Sequence, residues 1–86
     1  MDMIVMKRKA IHMLENWQPT ELKGIPLKSE AVAVVEELQH IDSPTDLGKT
    51  IQGIYEQSIS IWIPFEKCVE ISYKLLAIKF EAKSIL

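Results

Sequence analysis

With a single cysteine, Cys68, the chain has no intramolecular disulfide to call on, so its fold must be held by packing alone. No uncharged apolar run approaches the roughly 20 residues of a membrane-spanning helix, which excludes a transmembrane anchor of that kind. A large excess of charge of either sign is also missing. A net charge of −2 gives neither the basic footprint of a nucleic-acid binder nor strong attraction to anionic lipid. Only three glycines are present, and none builds a phosphate-cradling loop, a Walker-type run or a triad spacing. The opening MDMIVMKRK carries its acid before its apolar run and its bases after it, the reverse of a secretory leader. Together with the lone cysteine, this points to the cytoplasm.

What is there is enough to fold. The 86 residues are 48% hydrophobic and 26% charged, far from the composition at which chains stay disordered, and they suffice for one domain. Ordering costs about 1.5 kcal/mol per residue, so nearly all of the apolar stripes must be buried.

Those stripes have helical period. Met3, Met6, Ala10, Met13 and Trp17 recur at three and four, widened by Ile4, Ile11 and Leu14, which predicts a helix over 2–17 with Asp2 as cap. Pro19, Gly24 and Pro26 then break the chain into one long loop. Ser29 is placed to cap a second helix over 29–40, on the stripe Ala31, Val34, Val35 and Leu38. Valine-rich AVAVV would suit a buried strand, but EELQH continues the helical pattern with good helix formers. In DSPTDL, Ser43 as N-cap, Pro44 at the first helical position and Asp46 near the positive helix end predict a third helix over 44–61. Its face carries Leu47, Ile51, Ile54, Tyr55, Ser58 and Trp62. Gly48 and Gly53 inside it each cost about 1 kcal/mol relative to alanine, suggesting that a neighbouring backbone approaches closely.

Pro64 disfavours helix at Ile63 and suits the start of a fourth helix, over 64–83. SISIWIPFEKC therefore reads as the bend of a helical hairpin, with Trp62 plugging its corner. In the fourth helix Phe65, Cys68, Val69, Ser72, Leu75 and Leu76 form one stripe, while Ile71, Ile78, Ala82 and Ile85 form a second. Two apolar faces imply a central position or a partner. The expected architecture is all-α: a compact four-helix bundle of antiparallel helices, with one long loop between the first and second.

Segments of the chain resemble the YugE-like family, small helical proteins of Bacillus-type bacteria without an assigned function. The resemblance lies in an acidic, proline-marked helix start followed by IQGIYE, WIPFEKC and KLLAIK. The matching residues are Ile51, Gln52, Ile54, Tyr55, Glu56, Trp62, Ile63, Pro64, Cys68, Leu75, Leu76, Ile78 and Lys79. It extends loosely to LENWQP, where Gln18 stands in place of an expected aspartate. The resemblance implies an all-helical fold and supplies no catalytic residue, cofactor or substrate.

Candidate chemistry is sparse. Cys68, in the first turn of a helix, would feel amide dipoles that favour a thiolate, yet it lies on an apolar stripe where free cysteines are usually buried. His12 and His40 fall on different helices without metal-ligand spacing; His40 suits the carbonyl end of its helix. Glu36, Glu37, Asp42 and Asp46 gather at one joint with nothing apolar interleaved to raise a pKa, so they form a solvated corner or face a basic partner. Lys7, Arg8 and Lys9 spread around a helix and make no stripe for a phosphate backbone. Tyr55, Trp62, Phe65 and Tyr73 would fit core or interface better than a ligand pocket.

No catalytic residue, cofactor or metal ligand is assigned, and neither nucleic acid nor membrane is expected as a partner. The favoured role is a non-enzymatic protein–protein interaction module, docking a partner or a second copy through Ile71, Ile78 and Ile85. The alternatives are an acidic inhibitor or antitoxin-like protein covering a basic site with Glu36, Glu37, Asp42 and Asp46, and a thiol-dependent enzyme using Cys68 with a histidine.

Overall fold

A computed structural model describes residues 3–17, 19–22 and 28–84. Four α-helices follow one another: α1 (Met3–Glu15), α2 (Lys28–Leu38), α3 (Pro44–Ile59) and α4 (Phe65–Ser84), with a turn of 3-10 helix at Thr20–Leu22. No strand occurs among the described residues. The helices pack in a ring, α1 on α2, α2 on α3, α3 on α4 and α4 back on α1, with α4 also touching α2. The all-α four-helix bundle is the architecture expected from the stripes.

Each helix contributes its apolar stripe. Met6, Ala10 and Leu14 come from α1, Ala31, Val34, Val35 and Leu38 from α2, and Leu47, Ile51 and Tyr55 from α3. Cys68, Ile71, Leu75, Leu76 and Ile78 come from α4, while Leu22 and Ile63 enter from the connections. Burying a large aliphatic side chain is worth about 2 kcal/mol, and this aliphatic core offsets the entropy of ordering. The second stripe of α4 is thereby explained by its central position: Ile71 and Ile78 are core residues, 3% and 9% exposed. Ile85 lies outside the described residues, as do Asp2, Gln18 and the loop at 23–27.

The helix ends carry most of the differences from expectation. α1 stops at Glu15, where Asn16 turns and its Nδ2 donates to the His12 carbonyl at 2.8 Å. α2 already includes Lys28, so Ser29 sits inside its first turn rather than capping it, and the helix ends at Leu38 rather than 40. α3 starts as predicted: Ser43 is the N-cap, its hydroxyl accepts from the Asp46 amide at 3.4 Å, and Pro44 opens the helix. It ends at Ile59 because Ser60 takes the left-handed conformation (φ 57°) and returns its amide to the Glu56 carbonyl at 2.9 Å.

The link after Ser60 runs back along α3. Gln52, mid-helix and buried, donates from Nε2 to the Ile63 carbonyl at 2.7 Å. Ile63 is fully buried, whereas Trp62 is 63% exposed, so the corner is filled by Ile63 and not by the tryptophan. The two neighbours thus take opposite environments, and only Ile63 faces the core. Beyond the link, Gly48 lets α4 come close: a Cβ there would stand 3.0 Å from Val69 Cγ2 and 3.3 Å from Phe65 Cε1. At Gly53 a Cβ would meet nothing within 4 Å, so the close approach expected of both glycines belongs to Gly48 alone.

Candidate functional site

Around α4 the circumference divides into three arcs, because successive residues advance by about 100°. One arc, with Cys68, Ile71, Ser72, Leu75, Leu76, Ile78 and Lys79, is buried. The second carries Lys67, Glu70, Lys74 and Glu81 and faces α1 across an open groove of about 780 Å³. Met13, Trp17, Ile71 and Ile78 give that groove apolar lining, and Lys9 and Glu81 cross it at 3.9 Å. What little of Ile71 and Ile78 is exposed lines this groove. The third arc runs beside α3: Phe65, Tyr73 and Phe80 are 37%, 63% and 47% exposed, with half-buried Val69 and exposed Ala77 between them. This strip has spacing i, i+4, i+8, i+12 and i+15, a helical stripe as regular as the buried ones. Its spacing was available in the sequence, but stripes predict a covered face, and hydrophobicity alone does not say by what.

The thiol does not belong to any surface site. Cys68 is fully buried, and its Sγ lies 3.9 Å from the Ile63 carbonyl oxygen. Burial, with the negative charge of Glu21 adding to it, pushes the Cys68 pKa up to about 11, so the side chain is a protonated core group at neutral pH. The pull of the helix start toward a thiolate is outweighed by desolvation. Both imidazoles lie on exposed residues, and the His12 ring nitrogens sit 3.3 and 3.4 Å from Asn16 Nδ2. Among the described residues no group of three or more His, Cys, Asp or Glu is arranged to hold a metal ion.

Two of the four joint carboxylates face the chain's own lysines. Glu36 pairs with Lys7 of α1 at 3.5 Å, and Asp42 with Lys79 of α4 at 2.8 Å. Asp46 serves the α3 start, and Glu37 is exposed, its carbonyl taking the His40 amide at 3.0 Å. Lys79 matched in the family resemblance, but its structural role is the one that sequence reasoning missed. It is 3% exposed, and its Nζ also donates to the Ile41 carbonyl at 2.8 Å, tying α4 to the α2–α3 joint. A second tie joins Lys67 to Glu21 at 2.9 Å, and that hydrogen bond, with one from the Glu21 backbone, holds the Glu21 carboxyl below its ordinary pKa.

The four aromatics expected at core or interface separate. Tyr55 alone is buried; its ring meets Trp17 at 5.8 Å and 47°, and its hydroxyl has no hydrogen-bond partner among the described residues. Burial, and then the charge of Glu30, push its phenol pKa upward. Trp62, Phe65 and Tyr73 are exposed and do not line the α1–α4 groove.

Fold and surface together define the class: a small all-α four-helix domain. Residues 9–85 match the family model of the domain of unknown function DUF1871. The chain is also 33% identical over 72 residues to the uncharacterized protein YugE of Bacillus subtilis (strain 168), covering 84% of each chain. The chain belongs to this family. No solved structure matches it.

Proposed function

We propose that the protein is a non-enzymatic protein–protein interaction module of the cytoplasm, docking through the apolar strip that α4 exposes beside α3. One observation carries this reading. The chain has two tryptophans, two tyrosines and two phenylalanines, and four of these six, Trp62, Phe65, Tyr73 and Phe80, are exposed. All four lie within one stretch at 62–80, while the core is built mainly from aliphatic side chains.

Aromatic rings supply the largest buried area per residue, and a small domain short of core gains most by burying them. A domain that instead leaves three of them along one helix face, with Trp62 in the link just before it, has an apolar patch of the kind that marks protein contacts. The protonated, buried Cys68 offers no nucleophile to compete with this reading. An acidic inhibitory surface is disfavoured, because Lys7 and Lys79 already face Glu36 and Asp42.

The test is a photo-crosslinking residue at Ala77 in the full chain, activated in intact cells. Discrete crosslinked products are expected, and they should vanish when Tyr73→Glu is added. Products that are absent, or unchanged by Tyr73→Glu, would overturn the docking strip.

A further inference from the structure

We infer that the strip on α4 seats a second copy of this chain, the two α4 helices packing antiparallel about a two-fold axis at Tyr73. This rests on reading the strip as the docking face and names its occupant.

The strip is nearly palindromic about Tyr73. Phe65 and Phe80 stand eight and seven residues from it, and Val69 and Ala77 stand four away on either side. A two-fold at Tyr73 sets each phenylalanine end against the opposite end of the other copy, and Val69 against Ala77. Large rings then meet at the ends and, as Tyr73 against its own copy, on the axis, with the small Val69 and Ala77 between them, a self-complementary pattern of the kind an isologous contact requires.

At the flank of the antiparallel pairing each copy's Glu70 falls within a turn of the other's Lys74. That attraction is set against the equally close approach of the two Lys74 side chains, so the direction rests on the symmetry of the strip and not on charge. Glu81, which the axis brings to the Glu66 end, has its carboxylate turned toward Lys9 of α1 at 3.9 Å.

Area supports a second copy as well. The exposed parts of the strip's three rings, Phe65, Tyr73 and Phe80, amount to roughly 300 Å² per copy, over a third of the roughly 800 Å² per partner that a stable interface buries. Val69, Ala77 and the stems of Glu66, Glu70 and Lys74 contribute to the remainder.

Sedimentation equilibrium of the full chain over a wide concentration range tests this. The expected mass is twice the 9.9 kDa of the chain. Tyr73→Glu, which sets two carboxylates against each other on the axis, should weaken association on the order of 100-fold with an unchanged circular-dichroism spectrum. Val32→Glu, at an exposed position on α2, should leave it unaltered. In a Cys68→Ala background, Tyr73→Cys should crosslink to itself on mild oxidation, because residues on the axis meet their own copies. A wild-type chain monomeric throughout, or a dimer untouched by both Tyr73→Glu and Phe80→Glu, overturns the self-association. If that monomer still yields Ala77 crosslinks that Tyr73→Glu abolishes, the docking strip stands and only its occupant falls.

Discussion

Lys79 reaches from the second half of α4 to the joint between α2 and α3, where its ammonium lies 2.8 Å from the Asp42 carboxylate. The two ends of this pair differ sharply, since the lysine side chain is 4% exposed and the aspartate 68%. The buried charge is also satisfied by the Ile41 carbonyl at 2.8 Å, so the backbone, and not only the exposed carboxylate, anchors it.

From this asymmetry, Lys79→Ala should destabilise the fold by about 2–3 kcal/mol, through lost stem packing and an orphaned carbonyl. Asp42→Asn should cost less than about 1 kcal/mol, because its partner keeps the Ile41 carbonyl and the carboxylate end stands in water. Urea unfolding of both variants measures the difference. Equal losses would mean that the carboxylate, not the carbonyl, is the anchor.

Lys79 also shows where sequence reading stops. Lysine in a helix reads as solvated, and only the approach of Ile41, 38 residues away in sequence, makes its burial tolerable. The α3 start was legible because Ser43, Pro44 and Asp46 act on the amides beside them. Its end was not, because a serine, without the glycine that usually marks the left-handed position, closes the helix at Ser60. For α4 the stripes revealed which residues are apolar, and the packing of α1 and α3 decided that Ile71 and Ile78 go inside while Tyr73 and Phe80 stay out.

The two glycines of α3 should respond oppositely to alanine. Gly53→Ala adds a methyl to open space and should stabilise by about 0.5–1 kcal/mol through helix propensity. Gly48→Ala sets its Cβ 3.0 Å from the stiff, β-branched Val69 and 3.4 Å from the Val69 backbone nitrogen, so a neighbouring helix must move. Overpacking of this kind costs about 1–3 kcal/mol and should outweigh the same propensity gain. Thermal melts of the two variants should shift in opposite directions.

At the corner after α3, the adjacent residues Trp62 and Ile63 should separate cleanly. Ile63→Ala removes a fully buried side chain and should cost about 2–5 kcal/mol. Trp62→Ala, at 63% exposure, should change monomer stability by no more than about 0.5 kcal/mol. Urea unfolding at low protein concentration, where association does not contribute, makes the comparison. A larger cost at Trp62 would restore the tryptophan as the plug of the corner.

Alkaline pH should weaken the fold through Cys68. Unfolded, the thiol loses its proton near its ordinary value of 9.0, whereas in the bundle burial keeps it protonated to about 11. Between those values the unfolded chain binds fewer protons than the folded one, so stability falls as pH rises. This contribution is whole below pH 9 and shrinks by about 1.4 kcal/mol for each pH unit above it, levelling as the folded thiol itself ionises. Tyr55, whose phenol is raised in the same direction from 10.0, steepens the fall at the upper end of the window. Urea unfolding across the range should show this slope, and Cys68→Ala should flatten its lower part while leaving the Tyr55 part in place. A slope unchanged by Cys68→Ala would mean that the thiol ionises in the folded chain as readily as in the unfolded one, and the native protein would then react quickly with a thiol reagent at neutral pH instead of resisting it.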